Sequence, residues 1–222
     1  MKTITLLILS VFLTISSVNA QLIPVGSGWK YLDDGSNQGT AWQTLNFDDS
    51  HWAEDNAQLG YGDSDETTVI SYGNDANNKY ITYYFRKKIT VQDPSAQNGL
   101  KLEILRDDGA VIYINGNEVV RSNMPSGVVT STTLAAHTVS GSAEDEFFVY
   151  NISSSCLVQG QNIVAVEIHQ RSKTSSDVSF DLKLNFTQLS LFRKAPYVLY
   201  LGTNTEILIL WQLNETGNCQ FE

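Results

Sequence analysis

The sequence has 222 residues, and 24 acidic side chains outweigh 14 Lys and Arg, which gives a formal net charge of −10. This balance argues against nucleic acid as a partner, because phosphates require a basic patch. An acidic surface is compatible with calcium or with neutral glycans, and equally with plain solubility.

The N-terminus has the pattern of a secretory leader. Lys2 precedes an apolar run over residues 4–13, and Ala20 ends a group of small residues of the kind that signal peptidase reads. The run is far shorter than the roughly 20 residues that span a bilayer. We predict a signal peptide over residues 1–20, no membrane span, and a mature protein that is secreted or held at the cell surface.

From residue 29 onward, strand patterns alternate with turns. Residues 29–32 form a short strand, and residues 80–91 form a long one. Along the long strand, alternate positions place one set of apolar side chains on the same face: Ile81, Tyr83, Phe85, Ile89 and Val91. Arg86 and Lys88 lie on the opposite face, where we expect them to be solvated.

Residues 106–121 predict a β-hairpin. Positions 110–114 alternate with the two-residue period of a strand, and residues 117–121 run back beside them. Asn115 and Gly116 supply the pair that tolerates positive φ in a type I′ turn. Asp107 and Asp108 form a turn of adjacent carboxylates directly before the hairpin.

The later strands complete an all-β pattern. Residues 146–152, 162–169 and 177–187 form strands, and helical periodicity is almost absent beyond the leader. On the second of these strands Glu167 and His169 point outward as a hydrogen-bonding group. We predict an antiparallel β-sandwich of the jelly-roll kind over residues 21–188.

The C-terminal segment predicts a second domain that starts and does not finish. Residues 189–194 form a linker, and residues 195–203 and 206–213 are extended, the latter apolar on both faces. We expect a truncated second β-domain over residues 189–222. The alternative is that the tail packs on the first domain as extra strands. Cys156 and Cys219 fall in different predicted domains, so we expect no bridge between them.

Most of the mature chain resembles the galactose-binding-like jelly-roll module of exported, multidomain bacterial proteins. The matching phrases are residues 29–35, 47–52, 58–62, 83–87, 106–121, 121–125 and 165–170. The resemblance implies an accessory or binding domain. Its expected partner is a glycan or a cell-surface polysaccharide.

Residues 194–222 are similar to the start of the fibronectin type III-like N-terminal domain of purple acid phosphatases. Pro196, Tyr197 and Trp211 carry this similarity. It implies that the parent protein continues into a calcineurin-like metallophosphoesterase, whose dinuclear metal lies in that downstream domain. The chain's own downstream domain is then a further expected partner.

No residue of the chain is predicted to be catalytic. The three histidines, His51, His137 and His169, are isolated, and no phosphoesterase ligand motif, nucleophile elbow or phosphate-binding loop occurs. We therefore expect a non-catalytic accessory module. The alternative is the front end of a purple acid phosphatase-like enzyme whose first domain is only a structural spacer.

Aromatic side chains are the candidates for sugar contact. Sugars are bound by aromatic faces together with planar hydrogen-bonding groups, and we predict this role for Trp42, Trp52 and Tyr72. The alternative is that tryptophans in a sandwich belong to its core.

Asp107 and Asp108 are the candidate metal ligands. The pair resembles the adjacent-aspartate calcium motif, joined by a cis peptide bond, of the lectin domain shared by protective-antigen-type toxins and flocculin-type adhesins. Calcium takes six to eight oxygens, so loops such as residues 63–66 or 74–78 would supply the rest. The alternative is an Asp-rich turn that fixes the start of the hairpin through side-chain-to-backbone hydrogen bonds.

Overall fold

A computed structural model describes residues 21–95, 97 and 99–187, and the backbone of two further strands over residues 192–200 and 207–213. The predicted signal peptide and Cys219 lie outside these residues. Within them, no helix has the length and apolar character needed to cross a membrane.

The described elements are strands and three single turns of 3-10 helix. In chain order the strands are β1 (Gln21–Ile23), β2 (Gly28–Leu32), β3 (Ala53–Asn56), β4 (Leu59–Tyr61), β5 (Thr68–Val69), β6 (Thr82–Val91), β7 (Leu100–Asp107), β8 (Gly109–Ile114), β9 (Asn117–Ser122), β10 (Phe148–Ile152), β11 (Gly160–His169), β12 (Val178–Phe186), β13 (Phe192–Tyr200) and β14 (Ile207–Leu213). The 3-10 turns are Ala41–Gln43, Gly141–Ala143 and Ser154–Cys156.

Twelve of these strands form two sheets of six. The first has the order β10, β7, β12, β4, β5, and β1 also pairs with β12; the second has the order β3, β2, β6, β11, β8, β9. The pairings are antiparallel, with the parallel pair β4 and β5 as the exception. The predicted antiparallel β-sandwich is confirmed.

The main core lies between the two sheets. β12 contributes alternate apolar side chains that are fully buried, among them Val178 and Phe180, and Phe180 stacks on Phe85 of β6 with ring centroids 4.1 Å apart. Burial of each such side chain stabilises the fold by about 1.5–3 kcal/mol. The two-residue period read from the sequence therefore identifies the inward faces correctly.

The predicted hairpin is β8 and β9. Asn115 has a φ of 53° and Gly116 a φ of 83°, which is the left-handed pair that a type I′ turn requires. Asn115 also anchors the turn to β11, because its side-chain amide donates to the side-chain oxygen of Asn162 at 2.8 Å. The hairpin is thus tied into the second sheet at its tip as well as along its length.

A second, smaller core covers the outer face of the second sheet. The segment between β2 and β3 folds over β6 and buries Trp42 and Trp52 against Tyr84. Arg86 lies beneath this segment and is buried, so the expectation that it is solvated was wrong, whereas Lys88 is exposed. A face that the strand pattern marks as polar is here closed by a layer distant in sequence.

β13 and β14 pair with each other in a separate two-stranded sheet. β13 begins at Phe192, inside the segment predicted as a linker. The division of the chain at residue 188 stays a prediction. Cys156 is half-buried and free in the described part of the chain, and its pairing with Cys219 lies outside the described residues.

Candidate metal centre and adjoining groove

Strand register brings the acidic residues to one end of the sandwich. In the first sheet Tyr61, at the end of β4, lies opposite Val178, and Asp107, at the end of β7, lies opposite Ser179. The residue before Val178 is Asp177, and Asp63 follows two positions after Tyr61. Three carboxylates from three chain segments therefore converge where these strands end.

Gly62 permits the close approach of two of these segments. Its φ is +117°, and a Cβ placed on it would lie 2.6 Å from the Cβ of Asp177. Carboxylate oxygens of Asp63, Glu144 and Asp177 then come within 4.8 Å of one another. A glycine at this position is required for both reasons, since L residues rarely adopt this φ and a side chain would collide with Asp177.

Asp107 is the most unusual group at this end. It is 1% exposed, and both of its carboxylate oxygens are buried without a hydrogen-bond partner among the described residues. Burial raises the pKa of Asp107 well above its usual value, and the neighbouring charges of Asp108 and Asp177 raise it further, since the protonated carboxyl can donate a hydrogen bond to either of them. A buried carboxylate in this position is stabilised by a proton or by a cation.

Asp108 has a different role from its neighbour, to which it is joined by a cis peptide bond. Its Oδ1 accepts from the backbone N–H of Val139 at 2.7 Å, and its Oδ2 accepts from that of Arg171 at 2.6 Å. Both oxygens are thus engaged in holding two loops. The sequence could not separate the two aspartates, because adjacent carboxylates in a turn have the same local pattern.

The remaining carboxylates form a cluster of oxygen donors. Burial, followed by the charges of Asp177 and Glu144, raises the pKa of Asp63 to about 6. A second group at the same loop consists of Asp63, Asp65 and Glu66. These acidic residues can hold a metal ion, and their all-oxygen chemistry fits a hard cation rather than zinc or copper.

Tyr72 lies beside this acidic end. Its ring is 37% exposed, and its centroid is 5.1 Å from that of Tyr61. The ammonium group of Lys79 lies 5.1 Å from the Tyr72 ring centroid and donates to the carbonyl of Ser175 at 2.5 Å, two residues before Asp177. One predicted sugar-contacting residue is therefore brought to the same end as the predicted metal ligands.

Trp42 and Trp52 lie elsewhere, in the smaller core. They are 0% and 4% exposed, and their rings stack on each other with centroids 6.4 Å apart. In this arrangement neither ring presents a face to solvent. Their sugar-binding role stays a prediction, and the structure does not bring them together with Tyr72.

An open groove of about 740 Å³ adjoins the acidic end. It lies between the loop that follows β9 and the turn that follows β11. Its lining includes two cations, three hydroxyl groups and one exposed leucine: Arg171, Lys173, Thr132, Thr138, Ser172 and Leu134. Sequence reasoning did not identify this groove; the length of the loop over residues 122–141 is the signal that pointed toward it.

His169 and Glu167 face outward on β11, as predicted, but both are buried, and the loop after β9 contacts His169. Nε2 of His169 lies 3.2 Å from Oε2 of Glu167, and Glu167 accepts a hydrogen bond from the Tyr113 hydroxyl at 2.7 Å. Nδ1 of His169 contacts the carbonyl of Thr133 at 2.8 Å. The contact between His169 and Thr133 holds the loop after β9 against the second sheet.

Comparisons with known proteins find weak structural likenesses. No family model matches the chain, and no curated protein matches it. Among solved structures, a β-glucuronidase from Bacteroides uniformis is 17% identical over 72% of this chain and 17% of its own, with a TM-score of 0.46. A glycosyl hydrolase family 2 member from Bacteroides cellulosilyticus is 13% identical over 78% of this chain and 22% of its own, with a TM-score of 0.48.

A β-glycosidase from Bacteroides vulgatus is similar at 18% identity over 86% of this chain and 24% of its own, with a TM-score of 0.41. The chain thus spans less than a quarter of the length of these three enzymes. Identities below 25% and TM-scores below 0.5 assign neither a family nor an activity. These matches lend no support to the purple acid phosphatase resemblance.

Proposed function

We propose that residues 21–187 form a non-catalytic carbohydrate-binding module that holds calcium at its acidic end and contacts a glycan there. The observation that carries this proposal is the Asp107 carboxylate, which is buried and reached by no hydrogen-bond donor among the described residues, beside the cluster of Asp63, Glu144 and Asp177. A folded protein keeps such a group only where a proton or a cation neutralises it.

Calcium is the cation that these donors fit best. It accepts six to eight oxygens in flexible geometry, and carboxylates, amide carbonyls and waters all serve. Besides the carboxylates, Oε1 of Gln170 is buried without a partner among the described residues, and its amide nitrogen donates to the backbone carbonyl of Asp177 at 2.7 Å. When bound, calcium supplies coordination positions that sugar hydroxyls can occupy. The protein residues position the carboxylates and exclude water from Asp107.

Tyr72 supplies the apolar contact in this proposal. An exposed aromatic ring packs against the C–H face of a sugar, while ordered polar groups fix the orientation of its hydroxyls. Of the three aromatic residues predicted for sugar contact, we retain Tyr72, because its ring reaches solvent beside the cluster. Lys79 holds this ring in place from below.

The test is a glycan array probed with the full chain in millimolar calcium and again in chelator. We expect binding to at least one glycan class, lost in chelator and in Asp107→Asn, and weakened about tenfold or more in Tyr72→Ala. Asp55→Asn, which removes one exposed carboxylate on β3, serves as the matched control and retains binding. An array without binding in either condition contradicts the proposal.

We also propose that the module is exported and that β13 and β14 begin a second β-domain leading into a metallophosphoesterase. The leader pattern over residues 1–20 supports export, and the pairing of β13 with β14 supports a further β-unit. The metallophosphoesterase rests on the resemblance carried by Pro196, Tyr197 and Trp211. Reading the coding sequence beyond Glu222 tests this. We expect Asp-x-His and Gly-Asn-His motifs there. A reading frame that lacks them would contradict the proposed phosphatase.

A further inference from the structure

We infer that the groove between residues 132–138 and 171–173 binds an anionic saccharide, one whose sugars carry a carboxylate or a sulfate. This inference rests on the proposed function, because it names the class of glycan that the same end of the sandwich would take. It stands on three observations: an unpaired arginine, a lysine with a neutral partner, and the hydroxyl groups between them.

Arg171 is the one arginine among the described side chains for which no side-chain partner is found. Four arginines have side chains that the structure describes, and three of them donate to protein acceptors: Arg86, Arg106 and Arg121. The Arg171 side chain is exposed and makes no hydrogen bond or ion pair within the described part of the chain. A planar guanidinium in this state matches a carboxylate or a sulfate in bidentate geometry.

Lys173 adds a second positive charge, and no carboxylate of the described residues pairs with it. Its ammonium group donates to the side-chain carbonyl of Asn78 at 2.9 Å, which orients the group and leaves its charge intact. Its own carbonyl accepts from the backbone N–H of Lys79 at 3.0 Å, and Lys79 contacts the Tyr72 ring. Lys79 therefore links the backbone of the groove wall at Lys173 to the Tyr72 ring.

The charge of this groove is opposite in sign to that of the chain as a whole. The chain carries a net charge of −10, yet this groove contains two cations and no acidic side chain. Thr132, Thr138 and Ser172 add hydroxyl groups that can donate to and accept from sugar hydroxyls. Charge complementarity together with hydroxyl groups favours a charged sugar over a simple anion or a neutral glycan.

Asp108 fixes the width of the groove. Its carboxylate accepts from the backbone N–H of Val139, which follows Thr138 of one wall, and from that of Arg171 on the other wall, at 2.7 and 2.6 Å. The two walls are thus held at a set spacing by one side chain, adjacent to the Asp107 carboxylate of the candidate metal centre. A preorganised groove loses less entropy when it binds a ligand than two free loops would.

The experiment measures the affinity of the full chain for hyaluronan oligosaccharides and for their carboxyl-reduced form, in which each carboxylate is replaced by a neutral hydroxymethyl group. Chondroitin sulfate against unsulfated chondroitin tests the sulfate arm in the same way. We expect the charged member of at least one pair to bind about tenfold or more tightly, with an affinity that falls as salt rises.

Two variants locate this binding. Arg171→Gln is expected to reduce affinity for the charged oligosaccharide about tenfold, and Lys173→Gln to reduce it in the same direction. Lys88→Gln, an exposed lysine outside the groove, is the matched control and leaves affinity unchanged. Both groove positions are exposed, so unfolding curves should be unaltered.

The outcomes separate this inference from the function on which it rests. Calcium-dependent binding of neutral glycans with no preference for either charged form overturns the anionic groove and leaves the binding module standing. Undiminished affinity in both groove variants does the same. Absence of binding to every glycan overturns both.

Discussion

The guanidinium of Arg86 and the carboxylate of Asp49 form a buried ion pair, with Nε and Oδ2 2.8 Å apart. Nη1 of Arg86 also donates to the carbonyls of Trp42 and Thr44. The planar side chain thus joins β6 to the segment that covers the second sheet, and the ring of Phe47 lies 5.1 Å from its guanidinium carbon. Arg86 therefore helps to hold the smaller core on the second sheet.

Replacing Arg86 by methionine is expected to destabilise the protein by about 3–5 kcal/mol, because Asp49 is left buried without its partner. Urea unfolding followed by tryptophan fluorescence measures the change. Lys88→Met, two positions along on the same face and exposed, is the control and should stay within about 0.5 kcal/mol of the wild type. Equal effects of the two substitutions would contradict a stabilising role for the buried Arg86–Asp49 ion pair.

Calcium is expected to raise the stability of the wild-type chain. A ligand that binds only the folded state adds about 2.7 kcal/mol at a concentration one hundred times its Kd. Thermal unfolding with and without calcium measures this, and Asp107→Asn should abolish the response. Asp55→Asn should retain it. If Asp107→Asn responds as the wild type does, Asp107 is not a ligand.

Gly62→Ala is expected to disturb the acidic end through contact with Asp177. The added methyl would lie 2.6 Å from the Asp177 Cβ, so the two segments must separate. Gly127→Ala is a matched control, since Gly127 has a φ of +96° and nothing within 4 Å of an added Cβ. We expect Gly62→Ala to cost about 1–3 kcal/mol more than the control and to weaken calcium binding. Equal losses would mean that only backbone strain is involved.

Asp181 gives the folded state a defined pH dependence. Burial raises the pKa of this carboxyl, despite the hydrogen bonds that it accepts from the backbone of Gly26 and Leu182. A raised pKa means that the folded state binds the proton more tightly than the unfolded state. This contribution to stability is fully present below about pH 4, and it is lost as the pH rises through the folded-state pKa.

Asp181→Asn tests this sign. Asparagine does not titrate, so the stability of the wild type relative to the variant should fall as the pH rises from 3.5 to 7. Urea unfolding at both values measures the difference. If the free energy of unfolding of the wild type instead rises relative to that of the variant over this range, the folded-state pKa of Asp181 is lowered.

Local patterns in the sequence predict the strands and the hairpin, because these depend on neighbouring residues. Asn115 and Gly116 define their turn by their own conformational preferences, and the alternation along β12 identifies its buried face. Arg86 shows where such reasoning fails. Its position on an outward face was correct, but the layer that buries it comes from residues distant in the chain.

The candidate site was predicted in part for the same reason. Asp107 is visible as half of an acidic pair, whereas the convergence of Asp63, Glu144 and Asp177 beside it depends on strand register and loop paths. The sequence also offered no means to tell an exposed Tyr72 from a buried Trp42, since both are aromatic residues near turns. Burial is a property of the assembled sheets.

The pairing of β1 with the far part of β12 has a practical consequence. Gln21 lies opposite Asn185, so both ends of the sandwich emerge at the pole opposite to Asp107 and Tyr72. A fusion partner or a biotin attached next to Gln21 or Asn185 would therefore leave the acidic end and its groove exposed. On a sensor chip or a cell, the module would then present the end that we propose to bind glycan to the surrounding medium.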